Sequence, residues 1–149
     1  MLSQTGLYAL QALLHLAVQG NGAQVPAAVM ARELDVPGTY LAKVLQRLTR
    51  EGLLESTRGA RGGYRLAVDP AEITVARAVA PFQELRAART CLMGGACDLA
   101  NPCSAHARRA AWTAAAHEIL EHTTVADLLT GAPLGELGKV ASHPPENPR

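Results

Sequence analysis

One change of rhythm dominates the chain. Leu41, Val44, Leu45 and Leu48 recur at i, i+3, i+4 and i+7, the spacing of a single buried helical face, and Gly52 stands where a helix ends in a left-handed residue. From Leu53 the period shortens: Leu54 to Arg58 and Tyr64 to Val68 read as two extended runs around the tip Gly59-Ala60-Arg61-Gly62-Gly63. An amphipathic helix feeding directly into a glycine-tipped hairpin excludes most all-helical and all parallel-sheet folds.

Upstream, residues 3 to 19 read as a helix with Leu7, Leu10, Leu14 and Ala17 at helical spacing, stopped by Gly20, Asn21 and Gly22. Pro26 sits where a first helical turn tolerates it, and Ala27 to Leu34 form a short second helix ending before Asp35 and Pro37. Downstream, Ile73 to Leu85 is expected to be a helix started by Thr74 that ends or kinks at Pro81. Residues 90 to 103 hold Gly94, Gly95, Asn101 and Pro102 and read mostly as loop. Ser104 is an N-cap candidate for a long Ala-rich helix to about Thr123, with Trp112, Ala115, Ala116 and Ile119 on one stripe, and Thr124 to Leu129 adds a short turn. The tail from Gly131, with Pro133, Pro144, Pro145 and Pro148, lacks the apolar density to fold and is expected to be disordered.

The expected fold is therefore mostly α with a small β-hairpin wing: a winged helix-turn-helix followed by a long helix. Residues 1–70 form the winged unit, 71–130 the cysteine loop and long-helix region, and 131–149 the tail. The chain has 149 residues, 48% of them hydrophobic and 18% charged, which suits one ordinary domain with an extension. Its longest uncharged stretch, Met1 to Ala31, is broken by Ser3, Gln4, Gln11, His15, Gln19, Asn21 and Gln24, so no apolar span long enough to cross a membrane exists. No Lys or Arg precedes the first apolar residues, as a secretory signal would require, and a cytoplasmic location is expected.

The formal net charge of +1 hides an uneven distribution. Lys43, Arg47, Arg50, Arg58, Arg61 and Arg65 face only Glu51 and Glu55 between residues 43 and 65, a surplus of four, leaving −3 elsewhere. The outward positions of the third helix are Thr39, Tyr40, Ala42, Lys43, Gln46, Arg47 and Arg50. A helix of about 10 to 12 Å diameter fits a DNA major groove, and a thin hairpin carrying Arg reaches a neighbouring minor groove or phosphates. Lys43, Arg47, Arg50 and Arg58 are candidate phosphate contacts, Arg61 the wing-tip contact, and Thr39, Tyr40 and Gln46 the base readers. A solvated charged helix beside an ordinary turn is the plain alternative, but the order of four elements and the confinement of charge to two of them favour DNA. A pure protein-interaction module would leave the wing arginines unexplained.

All three cysteines, Cys91, Cys97 and Cys103, lie within thirteen residues, and His106 follows closely. An odd, clustered set is not a disulfide framework; it suggests metal. Thiolates suit an iron–sulfur cluster, zinc or Cu(I), and the x5 spacings lack the tight Cys-x2-Cys knuckle common in zinc sites. Zinc and a thiol redox switch stay open on spacing alone, as does a plain burial of Cys91 and Cys97. An enzyme with Cys91 or Cys97 as nucleophile and His106 or His117 as base lacks an orienting third residue, an oxyanion-hole glycine motif and a phosphate-binding loop, so no catalytic residue is assigned. His15 reads as a structural histidine, Trp112 as helix-interface packing and Tyr64 as an anchor between wing and core.

From residue 2 to about 129 the sequence resembles the Rrf-two family of winged-helix transcription regulators of the IscR and NsrR type. The resemblance is carried by Tyr8-Ala9-Leu10, Thr39-Tyr40-Leu41, Leu48-x3-Gly52-Leu53, Arg58-Gly59-Ala60-Arg61-Gly62-Gly63-Tyr64-Arg65-Leu66, Ile73-Thr74-Val75 and the three cysteines. It implies a homodimer joined by the long helix around Trp112 that reads a palindromic operator in double-stranded DNA. It also implies an iron–sulfur cluster held by Cys91, Cys97 and Cys103, with His106 as fourth ligand in an IscR-like arrangement. No Asp or Glu precedes Glu33, so [2Fe–2S] is favoured over a [4Fe–4S] form that takes an acidic ligand from near the partner's N-terminus.

Overall fold

In the computed structural model, residues 2–20, 22–82, 100 and 104–130 are described. The first helix, α1 (Gln4–Val18), starts at Ser3, whose hydroxyl accepts from the Gly6 amide at 3.0 Å. It stops at Gln19, and Gly20 follows at φ +92°. Its buried residues are Gly6, Ala9, Leu10, Ala12, Leu13, Leu14 and Leu16, whereas Leu7 is 37% exposed and Ala17 half-buried. The single stripe expected from Leu7 to Ala17 is thus corrected. Because α1 packs against α3 on one side and the helices after the wing on the other, it buries more than one face.

The second helix, α2 (Ala27–Glu33), is entered through Pro26, which precedes the helix rather than forming its first residue. Its carbonyl accepts from Val29 and Met30 at 3.0 and 3.1 Å. Asp35 at φ +53° turns the chain towards α3 (Gly38–Arg50). The four positions singled out by spacing, Leu41, Val44, Leu45 and Leu48, are all buried. Helix α3 ends in a Schellman closure: Leu53 N–H donates to Leu48 O and Gly52 N–H to Thr49 O, both at 3.0 Å, with Gly52 at φ +72°. Leu48 and Leu53 are both fully buried, so this closure also aims the chain into the wing.

The wing is one antiparallel pair, β1 (Leu54–Thr57) with β2 (Gly63–Leu66), in the register Leu54 to Leu66, Glu55 to Arg65, Ser56 to Tyr64 and Thr57 to Gly63. It is pinned to the body by Val25, whose amide and carbonyl exchange 2.9 Å hydrogen bonds with those of Tyr64. A Cβ on Gly63 would lie 2.6 Å from the Val25 carbonyl carbon and oxygen, so the approach requires glycine there. Tyr64 is half-buried against the core, as expected of a wing anchor.

After a 3-10 turn at Pro70–Glu72, Ile73 and Thr74 run extended and α4 (Val75–Val79) follows, with the Thr74 hydroxyl accepting from Arg77 N–H at 3.2 Å. At Pro81, which has no N–H to give, α4 passes into a 3-10 turn over Ala80–Phe82, the expected ending. The long helix α5 (Ser104–His122) has no buried residue among its nineteen, and α6 (Val125–Leu129) closes the described part. Thr74 and Thr124 pair as an antiparallel bridge, with Val75 N–H to Thr123 O and Val125 N–H to Ile73 O both at 2.8 Å. Thr124 and Asp127 form a capping box, and the Thr124 hydroxyl and amide donate to Asp127 Oδ2 at 2.7 and 2.8 Å, which holds that carboxyl below its ordinary range. One core joins α1 to α3 with Leu53, Leu54, Ile73, Val75, Ala78, Val79 and Val125. The cysteine loop and the tail from Gly131 lie outside the described residues.

Candidate nucleic-acid interface

The outer face of α3 presents Thr39, Tyr40, Lys43, Gln46, Arg47 and Arg50, all exposed. Burial of Leu41, Val44, Leu45 and Leu48 on the opposite side fixes this orientation, since rotating the helix would cost about 1.5–3 kcal/mol for each leucine or valine brought into water. The wing stands beside it. A groove of about 470 Å³ runs between them, lined by Gln46 of α3, by Ser56, Thr57, Arg58 and Tyr64 of the wing, and by Pro26 ahead of α2. Among the described residues no carboxylate lines it.

The wing tip has a forced backbone. Gly59 sits at φ +111°, Gly62 N–H donates to Gly59 O at 2.9 Å, and a Cβ on Gly62 would fall 2.2 Å from Thr57 O. Only small, φ-tolerant residues allow this tip, which leaves Arg58 and Arg61 exposed. Gln24 Nε2 donates to Thr57 Oγ1 at 2.8 Å and ties the tip's base to the loop ahead of α2.

The basic surplus resolves into two groups. Arg65 is neutralised across the hairpin, its Nη2 and Nε lying 2.6 and 2.9 Å from Glu55 Oε2. Arg47 Nε lies 3.0 Å from Glu51 Oε1, an i,i+4 pair with both side chains largely in solvent. Lys43, Arg50, Arg58 and Arg61 form no ion pair among the described residues, so they are the cations available to an anionic partner.

Tyr40 differs from its neighbours. Its hydroxyl is hydrogen-bonded to Thr5 of α1, and its ring meets Tyr8 edge-on with centroids 5.7 Å apart and planes at 80°. Thr5 and Gln24 were not singled out from sequence as site residues; each acts across more than thirty positions, and no local pattern announces such a pairing. His15 Nε2 lies 3.1 Å from Glu33 Oε2 without satisfying hydrogen-bond geometry, so the contact between α1 and α2 is one of proximity.

Of the expected metal ligands, His106 sits half-buried in the first turn of α5, while Cys91, Cys97 and Cys103 lie outside the described residues. Among the described residues no three His, Cys, Asp or Glu side chains gather for a metal ion. On α5, Trp112 is 61% and Ile119 64% exposed, Ala115 is exposed and Ala116 half-buried. The expected stripe exists and faces water in the isolated chain.

A three-helix core carrying an exposed basic helix and an adjoining glycine-tipped hairpin defines a winged helix-turn-helix protein. The family model for the iron-dependent transcriptional regulator Rrf2 matches residues 2–131, and the chain belongs to that family. It is 32% identical over 106 residues to the HTH-type transcriptional regulator IscR of Escherichia coli O1:K1, covering 71% of this chain; the chain spans 65% of that relative's length. Among solved structures, the global cysteine regulator CymR of B. subtilis shares the fold at TM-score 0.75 and 22% identity, over 89% of this chain and 98% of that one. T. potens IscR aligns at TM-score 0.72 and 25% identity, over 91% and 90% of the two chains. The oxidized form of Staphylococcus aureus CymR aligns at TM-score 0.72 and 25% identity, over 89% and 98%. The curated relatives are transcriptional regulators rather than enzymes. No described helix is long and apolar enough to cross a membrane.

Proposed function

We propose that the protein is a homodimeric DNA-binding transcriptional regulator, acting as a repressor, whose grip on a palindromic operator is governed by an iron–sulfur cluster in its cysteine segment. The observation that carries the DNA reading is the pairing of the exposed α3 face with the wing across a groove that no carboxylate of the described residues lines. Lys43, Arg47, Arg50 and Arg58 contact phosphates, Thr39, Tyr40 and Gln46 face base edges, and Arg61 extends the wing's reach. Residues 1–70 supply this surface and residues 71–130 the sensing and dimerising part. Two copies join through Trp112, Ala115, Ala116 and Ile119, an apolar stripe whose large side chains, Trp112 and Ile119, stay exposed among the described residues. Half-sites about 34 to 36 Å apart make simultaneous docking sensitive to small rotations of that interface.

Cys91, Cys97 and Cys103 with His106 are the donors that would hold the cluster, [2Fe–2S] ahead of [4Fe–4S]; three soft thiolates and an imidazole suit iron. When bound, it supplies reactivity towards oxidants and nitric oxide. The likeness to an oxidized CymR supports a second reading, in which the thiols themselves are the switch or hold zinc.

Oxygen-free purification followed by iron and sulfide analysis and native mass spectrometry separates the two. The first reading expects a coloured protein with iron and sulfide. A colourless protein with stoichiometric zinc or bare thiols supports the second. Duplexes selected from a random library then give operator affinity by fluorescence anisotropy. Loaded and cluster-free protein should differ in affinity, and equal affinities would overturn the switch. Arg61→Ala should weaken binding more than Arg47→Ala, because Arg47 is already paired with Glu51, and each lost phosphate contact should lower the salt slope by about one.

A further inference from the structure

The first two turns of α1 join parts of the chain that lie far apart in sequence. The Ser3 hydroxyl donates to the Phe82 carbonyl at 2.9 Å while accepting from the Gly6 amide. One turn on, Thr5 and Tyr8 take hold of Tyr40, the first through its hydroxyl and the second through its ring edge. Gly6 is buried between them. A Cβ there would crowd Ser3 Oγ at 3.2 Å, the hydroxyl that holds Phe82, and would meet Val79 Cβ at an ordinary contact distance of 3.5 Å.

Tyr40 is the third residue of α3 and remains 39% exposed, on the turn that a winged helix points at DNA. A phenol held at its oxygen and braced at its ring keeps one rotamer where a free one would sample several. Fixing that rotamer before binding spares the cost of ordering it on the duplex.

We infer that the first turns of α1 position the recognition helix: Thr5 and Tyr8 hold Tyr40 in its DNA-reading rotamer, and Ser3 fastens the arrangement to Phe82. This rests on the DNA-binding reading and assigns positioning roles to three residues behind the surface that meets DNA.

The test uses full-length protein and a duplex selected by the wild type, read by anisotropy. Thr5→Val and Tyr40→Phe should each weaken binding roughly fivefold, the loss expected of one neutral hydrogen bond. The double variant should be no weaker than either single one, because both delete the same bond. Thr5→Ser should restore affinity, and the salt slope should stay at the wild-type value because no phosphate contact is lost. Wild-type affinity in Thr5→Val, or losses that multiply in the double variant, overturns the inference.

Ser3→Asp tests the Phe82 link, since a carboxylate still caps α1 but cannot donate to a carbonyl. Ser3→Asp should weaken binding and Ser3→Asn, whose side-chain amide can both cap the helix and donate, should restore it. Wild-type affinity in Ser3→Asp, or no recovery in Ser3→Asn, overturns the link. A wild-type protein that retains no duplex in the selection refutes the DNA reading itself, so the two failures are told apart.

Discussion

Helices α3 and α5 are both long and both solvent-facing on one side, yet for opposite reasons. Helix α3 buries Leu41, Val44, Leu45 and Leu48 and shows water its charged and polar side chains; α5 rests only half-buried residues such as Leu120 on the core and shows water Trp112 and Ile119. The first arrangement is complete in one chain. The second leaves large apolar groups exposed, which a folded monomer rarely keeps without a use for them. The contrast separates a face that offers charge to an anion from one that leaves apolar side chains in water, the proposed dimer surface.

The comparison breaks most sharply on stability. Leu45→Ala should cost about 3 kcal/mol in denaturant unfolding, because the residue is fully buried and α3 has no room to collapse around the gap. Trp112→Ala with Ile119→Ala should leave the dilute monomer nearly unchanged while removing the dependence of Tm on protein concentration that a dimer shows. A concentration-dependent Tm in that double variant would place the dimer contact elsewhere.

Gly63→Ala comes next, at about 2 kcal/mol, since its methyl would press on the Val25 backbone. Amide exchange should show the 2.9 Å bonds between Val25 and Tyr64 opening first, while α3 stays protected. Thr124→Ala should cost about 1 kcal/mol by removing the α6 cap. The smallest effect is one of pH. Because hydrogen bonds from Thr124 lower the Asp127 carboxyl, its contribution is present above the ordinary carboxylate value of 3.8 and is lost as pH falls through the lower folded value. Acid titration followed by circular dichroism should show this step in the wild type and not in Asp127→Asn.

What could be read from the chain followed how local the cause was. The spacing from Leu41 to Leu48, the Gly52 closure, the Pro81 ending and the Thr74 and Thr124 starts are each set within a few residues, and each stands as expected. Helix α1 was misjudged because it packs on two sides, so a single-stripe template left Leu13 and Leu16 out and put the exposed Leu7 in. Gly63 reads as a turn residue, but its necessity comes from Val25, 38 positions earlier. The basic face was legible as a sum of charges; that Arg47 and Arg65 spend theirs on Glu51 and Glu55 depended on helix spacing in the first case and strand register in the second.

The Thr74–Thr124 bridge brings the chain's departure at Val75 and its return at Thr123 to within one hydrogen bond of each other. Everything threaded between those two points, cysteines included, is thereby a cassette with fixed sockets. An exchange of that insert leaves the rest of the core standing, provided the buried Val75, Ala76, Ala78 and Val79 are kept and the incoming ends meet that junction.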